Sequence, residues 1–175
     1  MQRVMIVGAC GAGKTVLANR LGDLLGLPVV HLDALRYQPD WSQVDDNRFA
    51  AAQRRAVAGP RWVIDGNSLA TLDIRARAAD TIIVLDLHPA ICLLGILRRR
   101  WRYHGGQHPD GVFDRITTEV VRYVWSYRAR HLPRVLKVIA AHGPNATLIQ
   151  LTRRRDVARF LADARHEQTR EGGRS

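Results

Sequence analysis

Between a short apolar run, Val4 to Val7, and a stretch of helical periodicity, Lys14 to Leu25, stands the octet Gly8-Ala9-Cys10-Gly11-Ala12-Gly13-Lys14-Thr15. The spacing G-x-x-x-x-G-K-[ST] constrains a fold as well as a ligand. Its backbone N–H groups form a phosphate cradle when a buried strand delivers the first glycine and a helix starts at the lysine. Both flanks are here: Val4 to Val7 reads as a buried strand, and Val16, Leu17, Leu21, Leu24 and Leu25 fall on one helical face that Gly26 and Pro28 end. A chance match in a chain of 175 residues is roughly a 1% event. Of 27 Lys and Arg residues only Lys14 and Lys137 are lysine. A compact ammonium is thus kept where a planar guanidinium does not fit the cradle.

The rest of the chain alternates strand and helix. Val29 to Leu32 predicts a second strand ending at Asp33, and Asp45 to Ala58 a helix beyond a loop at Pro39, Asp40 and Trp41. Trp62 to Ile64 is a third strand ending at Asp65-Gly66, and Thr81 to Leu87 a fourth. Pro89 suits the first turn of a helix running to about Tyr103. The run from Gly105 to Gly111 is a loop, Ile116 to Ala141 a long helix interrupted near Pro133, Ala146 to Leu151 a fifth strand and Asp156 to Arg165 a last helix. This pattern predicts an α/β fold, a five-stranded parallel sheet with helices on both faces. Residues 1–166 are expected to form one domain with a helical lid over about 98–128, and residues 167–175 a frayed polar tail. Ligands of such sheets sit at the carboxyl ends of the strands. Asp33, Asp65 and the glycine loop are therefore expected at one mouth.

Charge and cysteine usage narrow the function classes. The net charge of +11 implies an anionic partner, and much of the excess lies between Arg98 and Lys137. Cys10 and Cys92 make neither a disulfide framework nor a metal site, which fits a reducing cytoplasm. The apolar stretch from Thr81 to Leu97 is broken by Asp86, His88 and Pro89, so no membrane span is expected.

The loop residues Gly8, Ala9, Cys10, Gly11, Ala12, Gly13, Lys14 and Thr15 are expected to bind ATP, with Lys14 at the β- and γ-phosphates and the Thr15 hydroxyl on Mg²⁺. Cys10 is a small tolerated side chain or a reactive thiol at a helix N-terminus, and its alkylation is expected to block nucleotide. Asp65 ends its strand as a Mg²⁺-holding carboxylate does, acting through water or through Thr15 and a phosphate oxygen; a turn-forming Asp-Gly is the plainer reading. Asp33 is placed to take a proton from an acceptor hydroxyl, to orient the acceptor or to join the metal shell, or else to serve only as an N-cap. Arg98, Arg99, Arg100 and Arg102 span more than one helix face. One or two of them are expected at the migrating phosphoryl, with Arg115, Arg122 and Arg128 as further candidates. His104 and His108 read as exposed lid residues, and Tyr37 and Trp41 as either stacking or packing groups.

His31-Leu32-Asp33-Ala34-Leu35, then Pro39 and Trp41, then Val63-Ile64-Asp65-Gly66-Asn67, resembles the adenylate-kinase-like DNA topology modulation (FlaR-type) proteins. Leu85-Asp86, Cys92-Leu93, Arg98 to Tyr103, Pro109-Asp110 and Trp125-Ser126-Tyr127-Arg128 extend the likeness to about Leu161. The resemblance implies a P-loop NTPase fold of the nucleoside/nucleotide kinase type, the loop-bearing strand central, and use of ATP with Mg²⁺. It implies that Asp33, Arg36 and Arg75 face the acceptor, and that the run from Arg98 to Arg102, with Arg128, faces the phosphates.

The expected activity is phosphoryl transfer from ATP to a small-molecule or nucleotide acceptor. A hydroxyl acceptor needs a base such as Asp33, and a nucleoside monophosphate needs cations such as Arg36 and Arg75. The alternative is a nucleotide-gated DNA-binding protein, motivated by the basic segment, with weak nonspecific nucleic-acid contact. A weak ATPase ranks last, because no Gln or Glu stands out to orient water.

Overall fold

The computed structural model describes residues 1–38, 42–102 and 117–172. Five strands, β1 (Arg3–Gly8), β2 (Val29–His31), β3 (Trp62–Asp65), β4 (Thr81–Leu85) and β5 (Thr147–Leu151), form one sheet in the order β2-β3-β1-β4-β5, and every pair is parallel. In β1, β3 and β4 burial does not alternate: Val4 to Val7, Trp62 to Ile64 and Ile82 to Leu85 are all buried. Strands buried on both faces are what a parallel sheet covered by helices on each side requires. The edge strands β2 and β5 are only partly covered.

Eight α-helices complete the described chain: α1 (Lys14–Leu25), α2 (Leu32–Arg36), α3 (Asp46–Val57), α4 (Leu72–Ala78), α5 (Pro89–Arg102), α6 (Thr118–Ser126), α7 (Leu132–His142) and α8 (Arg154–Gly172). α1 packs on β1, β2, β3 and α8, whereas α4 joins α3 and α7. From β1 the chain crosses to the β2 side, and from β3 it crosses to β4 on the other side of β1. A crevice opens at the carboxyl end of β1 where these connections diverge, and the glycine loop occupies it.

Local chemistry explains the helix ends. Gly26, at φ 61°, closes α1. The Asp45 carboxylate accepts from the N–H groups of Asn47 and Arg48 and caps α3. The break between α6 and α7 is a π-helical turn, Tyr127–His131. Pro133 lies in the first turn of α7 and has no N–H for the Ala129 carbonyl, so the helix widens before it.

Several elements differ from the sequence expectation. β2 stops at His31, and Asp33 lies in the first turn of α2 rather than at a strand end. The stretch between β3 and β4, for which the sequence predicts no element, contains a 3-10 turn, Leu69–Thr71, and then α4. α8 continues through Gly172, so residues 167–172, expected in a frayed tail, are helical. The loop from Gly105 to Gly111, with His104, His108 and Arg115, and the residues Pro39, Asp40 and Trp41 lie outside the described residues. No helix among the described residues is long and apolar enough to cross a membrane.

Candidate functional site

β1 ends in Gly8 and α1 begins at Lys14, so the residues between them must turn the chain through the crevice mouth. Gly13 turns it at φ 92°, a left-handed conformation that a side chain would strain, and a Cβ there would point into open space. No side chain caps α1. Its first N–H groups, at the positive end of the helix, are left for an external acceptor. At Gly11 the requirement is steric: a Cβ would come within 2.1 Å of the Cys92 carbonyl, because α5 lies directly against the loop. A glycine-lined concavity with free N–H groups and no carboxylate on its own span fits a phosphate chain.

Lys14 lies across this concavity. Its Nζ donates to the carbonyls of Gly8 at 3.0 Å and Ala9 at 3.1 Å. These are neutral acceptors, and an anionic phosphate oxygen is a stronger one for the same ammonium. The Thr15 hydroxyl donates to Asp65 Oδ2 at 3.0 Å. The other oxygen, Oδ1, lies 2.6 Å from His31 Nδ1. Asp65 is only 4% exposed, so both carboxylate oxygens are held by protein groups. A hydroxyl and a carboxylate side by side are the hard oxygen donors that Mg²⁺ takes, with phosphate oxygens and water completing its shell. No group of three or more His, Cys, Asp and Glu side chains among the described residues could hold a metal ion. A divalent ion at Thr15 and Asp65 therefore requires the nucleotide's oxygens as well.

The strand register brings these groups together. Ile6 and His31 are both in register with Asp65, so β2 and β3 end level with each other while β1 runs on two residues to Gly8 at the start of the loop. His31 carried no functional reading in the sequence, because its contact depends on a register that one strand's residues do not reveal.

The acceptor-side cations are placed differently from the expectation. Arg75 does not face a ligand space: it is 0% exposed, and its guanidinium donates to Gln53 Oε1 at 3.1 Å, Gly66 O at 3.0 Å and Ser68 O at 3.3 Å. Burial lowers its pKa to about 10, against the opposing charges of Asp65 and then Asp33. Gln53, also fully buried, passes the network on by donating to Thr71 Oγ1 at 2.7 Å. Arg75 thus holds the turn from β3 to α4. Arg36 is likewise turned onto its own loop. It donates to Val44 O at 3.2 Å, Asp46 Oδ1 at 2.7 Å and Gln43 Oε1 at 2.9 Å, and its guanidinium carbon lies 4.9 Å from the Phe49 ring centroid. Asp33 remains exposed at the start of α2, and Tyr37 bridges to Gln43.

On the opposite side, a Cβ on Gly95 of α5 would come within 2.3 Å of the Gly11 carbonyl. Arg98 is exposed and about 4.5 Å further along the helix axis. Arg102 is the last residue of α5. Arg128, expected to face the phosphates, is paired with the buried Asp86 instead: Nε lies 2.7 Å from Oδ1 and Nη2 donates to Oδ2 at 3.1 Å. Gln150 also donates to Oδ2, at 3.1 Å. Leu85 is in register with Gly8, so this pair stands beside the loop.

Asn67 is the contact that no charge or spacing pattern marked. Its Oδ1 accepts from the Gly8 N–H at 3.0 Å, and its Nδ2 donates to the Gly8 carbonyl and to the hydroxyls of Tyr123 at 3.2 Å and Tyr127 at 3.4 Å. Burial pushes both phenols up in pKa, so they stay neutral.

The arrangement matches solved kinases in fold. The shikimate kinase from Acinetobacter baumannii, solved with shikimate, superposes with a TM-score of 0.58 at 15% identity over 93% of this chain and 90% of that one. The shikimate kinase from Bacteroides thetaiotaomicron gives 0.51 at 16% identity over 96% and 98%. No family model and no curated protein sequence matches the chain. The chain shares its fold with these kinases, an α/β unit with a five-stranded parallel sheet.

Proposed function

We propose that the protein is an ATP-dependent phosphotransferase that moves the γ-phosphoryl group to a hydroxyl of a small-molecule acceptor. Its sequence kin, on this reading, are the adenylate-kinase-like DNA topology modulation (FlaR-type) proteins. Residues 1–166 form the catalytic unit, acting in the cytoplasm where Cys10 and Cys92 remain thiols. The observation that carries the proposal is the junction of Lys14, Thr15 and Asp65 at one glycine-lined mouth.

The loop from Gly8 to Thr15 binds the phosphates through its N–H groups beyond Gly8, whose own N–H is held by Asn67, and through those of the first turn of α1, and Lys14 turns from the Gly8 and Ala9 carbonyls to the β- and γ-phosphate oxygens. Thr15 and Asp65 hold Mg²⁺, which supplies charge neutralisation on the phosphates. Asp33 accepts the proton of the acceptor hydroxyl as its oxygen bonds to the γ-phosphorus. The bond from that phosphorus to the β,γ-bridging oxygen breaks, and ADP leaves. Arg98 and Arg102 stabilise the equatorial oxygens during transfer.

The acceptor is read as a hydroxyl compound rather than a nucleoside monophosphate because of Arg36 and Arg75. Both are bound to protein acceptors, which weighs against their receiving a substrate phosphate. The test is an acceptor screen with ATP and Mg²⁺ across polyhydroxylated metabolites, nucleosides and nucleoside monophosphates, following both ADP and the phosphorylated product. One phosphorylated hydroxyl compound is expected, with turnover falling about 10³-fold in Lys14→Ala. ADP accompanied only by inorganic phosphate would overturn transfer. A nucleoside monophosphate as the accepted substrate would overturn the assignment of the acceptor.

A further inference from the structure

Asn67 meets Gly8 at both of its backbone groups. The N–H needs an acceptor and the carbonyl a donor, so the Asn67 amide has one orientation that satisfies both. The same carbonyl also accepts from Lys14 Nζ at 3.0 Å. Both lone pairs of one oxygen at the root of the phosphate loop are therefore engaged, one by the lysine that must leave and one by an amide that need not. When Lys14 turns to a phosphate, the Gly8 carbonyl keeps Asn67 as its partner and is not orphaned. Without Asn67 that carbonyl would depend on Lys14 alone, and would compete with the ligand for it.

Asn67 itself is oriented from outside the loop. Its Nδ2 reaches the hydroxyls of Tyr123 on α6 and Tyr127 on the π-helical turn. Tyr127 is 1% exposed, so its position is set by packing. The two rings meet edge-to-face at 5.7 Å, and the His131 ring lies 4.7 Å from Tyr123. A packed aromatic cluster thus fixes an amide that fixes the first residue of the loop.

We propose that Asn67 is a positioning residue for the phosphate-binding loop, acting through both backbone groups of Gly8 and itself held by Tyr123 and Tyr127. The proposal rests on the nucleotide-binding reading above. Cys10 makes the two separable, because it is the half-buried thiol of the loop while Cys92 is buried and its pKa is raised by that burial. The alkylation rate of Cys10, mapped by mass spectrometry in ligand-free protein, reports loop geometry without any nucleotide.

The experiment compares wild type, Asn67→Ala, Asn67→Asp, Tyr127→Phe and the Asn67→Ala/Tyr127→Phe double variant. It measures ATP affinity by calorimetry, Cys10 alkylation under native conditions, and urea unfolding in parallel. Asn67→Asp retains the volume and the acceptor for the Gly8 N–H but loses every donor, so it serves if Asn67→Ala does not fold. In either variant ATP affinity is expected to fall about tenfold and the Cys10 rate to rise several-fold, as loss of half-buried hydrogen bonding to Gly8 predicts. Tyr127→Phe is expected to give a smaller change of the same sign and no further change in the Asn67→Ala background. Folded Asn67 variants with wild-type affinity and wild-type Cys10 reactivity would overturn the proposal and leave the nucleotide reading standing. Fully additive effects of Asn67→Ala and Tyr127→Phe would overturn the role of the tyrosine. Altered Cys10 rates in a protein whose wild type binds no ATP would sustain the hold on the loop and overturn the nucleotide reading.

Discussion

Lys14 and Arg75 are both cations at the carboxyl end of the sheet, both expected at a ligand, and the structure uses them in opposite ways. Lys14 is half-buried and bonded to two carbonyls of its own loop, beside open space at Gly13. Arg75 is sealed behind the turn after β3, with three acceptors spread over its planar fork. The difference lies in what surrounds each charge. The turn from Gly66 to Ser68 leaves one buried and one half-buried carbonyl without a strand partner, and a fixed fork of donors matches both at once. The glycine loop offers an ammonium only neutral acceptors that a phosphate outcompetes. On the proposed reading, the strand-end cation with replaceable protein partners is the one that serves a ligand, and the one with fixed partners serves the fold.

Arg75→Met tests the second half of that contrast and carries the largest stability effect. The Gly66 carbonyl and Gln53 Oε1 would be left unpartnered in the interior, and the half-buried Ser68 carbonyl would lose its donor, at a cost of about 3 kcal/mol. The expected result is a lower urea midpoint at unchanged m-value, with ATP affinity preserved wherever the protein is folded. A stable variant with weakened acceptor binding would return Arg75 to the ligand side.

Asp33→Asn sharpens the contrast from the acceptor side, where an exposed carboxylate accompanies the two engaged arginines. With the base removed, kcat is expected to fall about 10²-fold while ATP affinity stays at the wild-type value. A helix of five residues draws little from one first-turn carboxylate, so the urea midpoint should hardly move. Equal losses in ATP affinity and kcat would instead place Asp33 with Thr15 and Asp65 around the metal.

The legible part of the molecule was where local pattern and chemistry coincide. β1, the glycine loop and α1 each support the same reading, and α1 spans Lys14–Leu25, the same bounds as its apolar periodicity. Strands β3 and β4 are apolar runs that parallel pairing demands. α2 and α4 escaped because helices of five and seven residues show too little periodicity to be seen. The approach of His31 to Asp65 requires the β2–β3 register, which lies in the pairing of two segments and in neither alone. Asn67 carries no charge, and its value comes from meeting a backbone, which has no sequence identity. For Arg36, Arg75 and Arg128 the sequence displays the charge but not the partner, and the partners lie 10, 22 and 42 residues away at Asp46, Gln53 and Asp86.

Arg36→Gln is the smallest perturbation and separates two kinds of engaged cation. Unlike Arg75, Arg36 has a side chain 24% exposed, and its carboxylate partner Asp46 is 89% exposed, so solvent screens the ion pair. What remains is the bond to Val44 O, the exposed bond to Gln43 Oε1 and the contact with the Phe49 ring, together worth about 1 kcal/mol. Glutamine can still donate to one acceptor, which lowers the loss further. The expected outcome is a small decrease in urea midpoint and an acceptor KM within about twofold of wild type, as for a residue that makes no substrate contact. A KM raised tenfold or more with stability intact would mean that Arg36 leaves Asp46 for the acceptor. The acceptor side would then also hold a replaceable cation, and an acceptor bearing an anionic group would fit it.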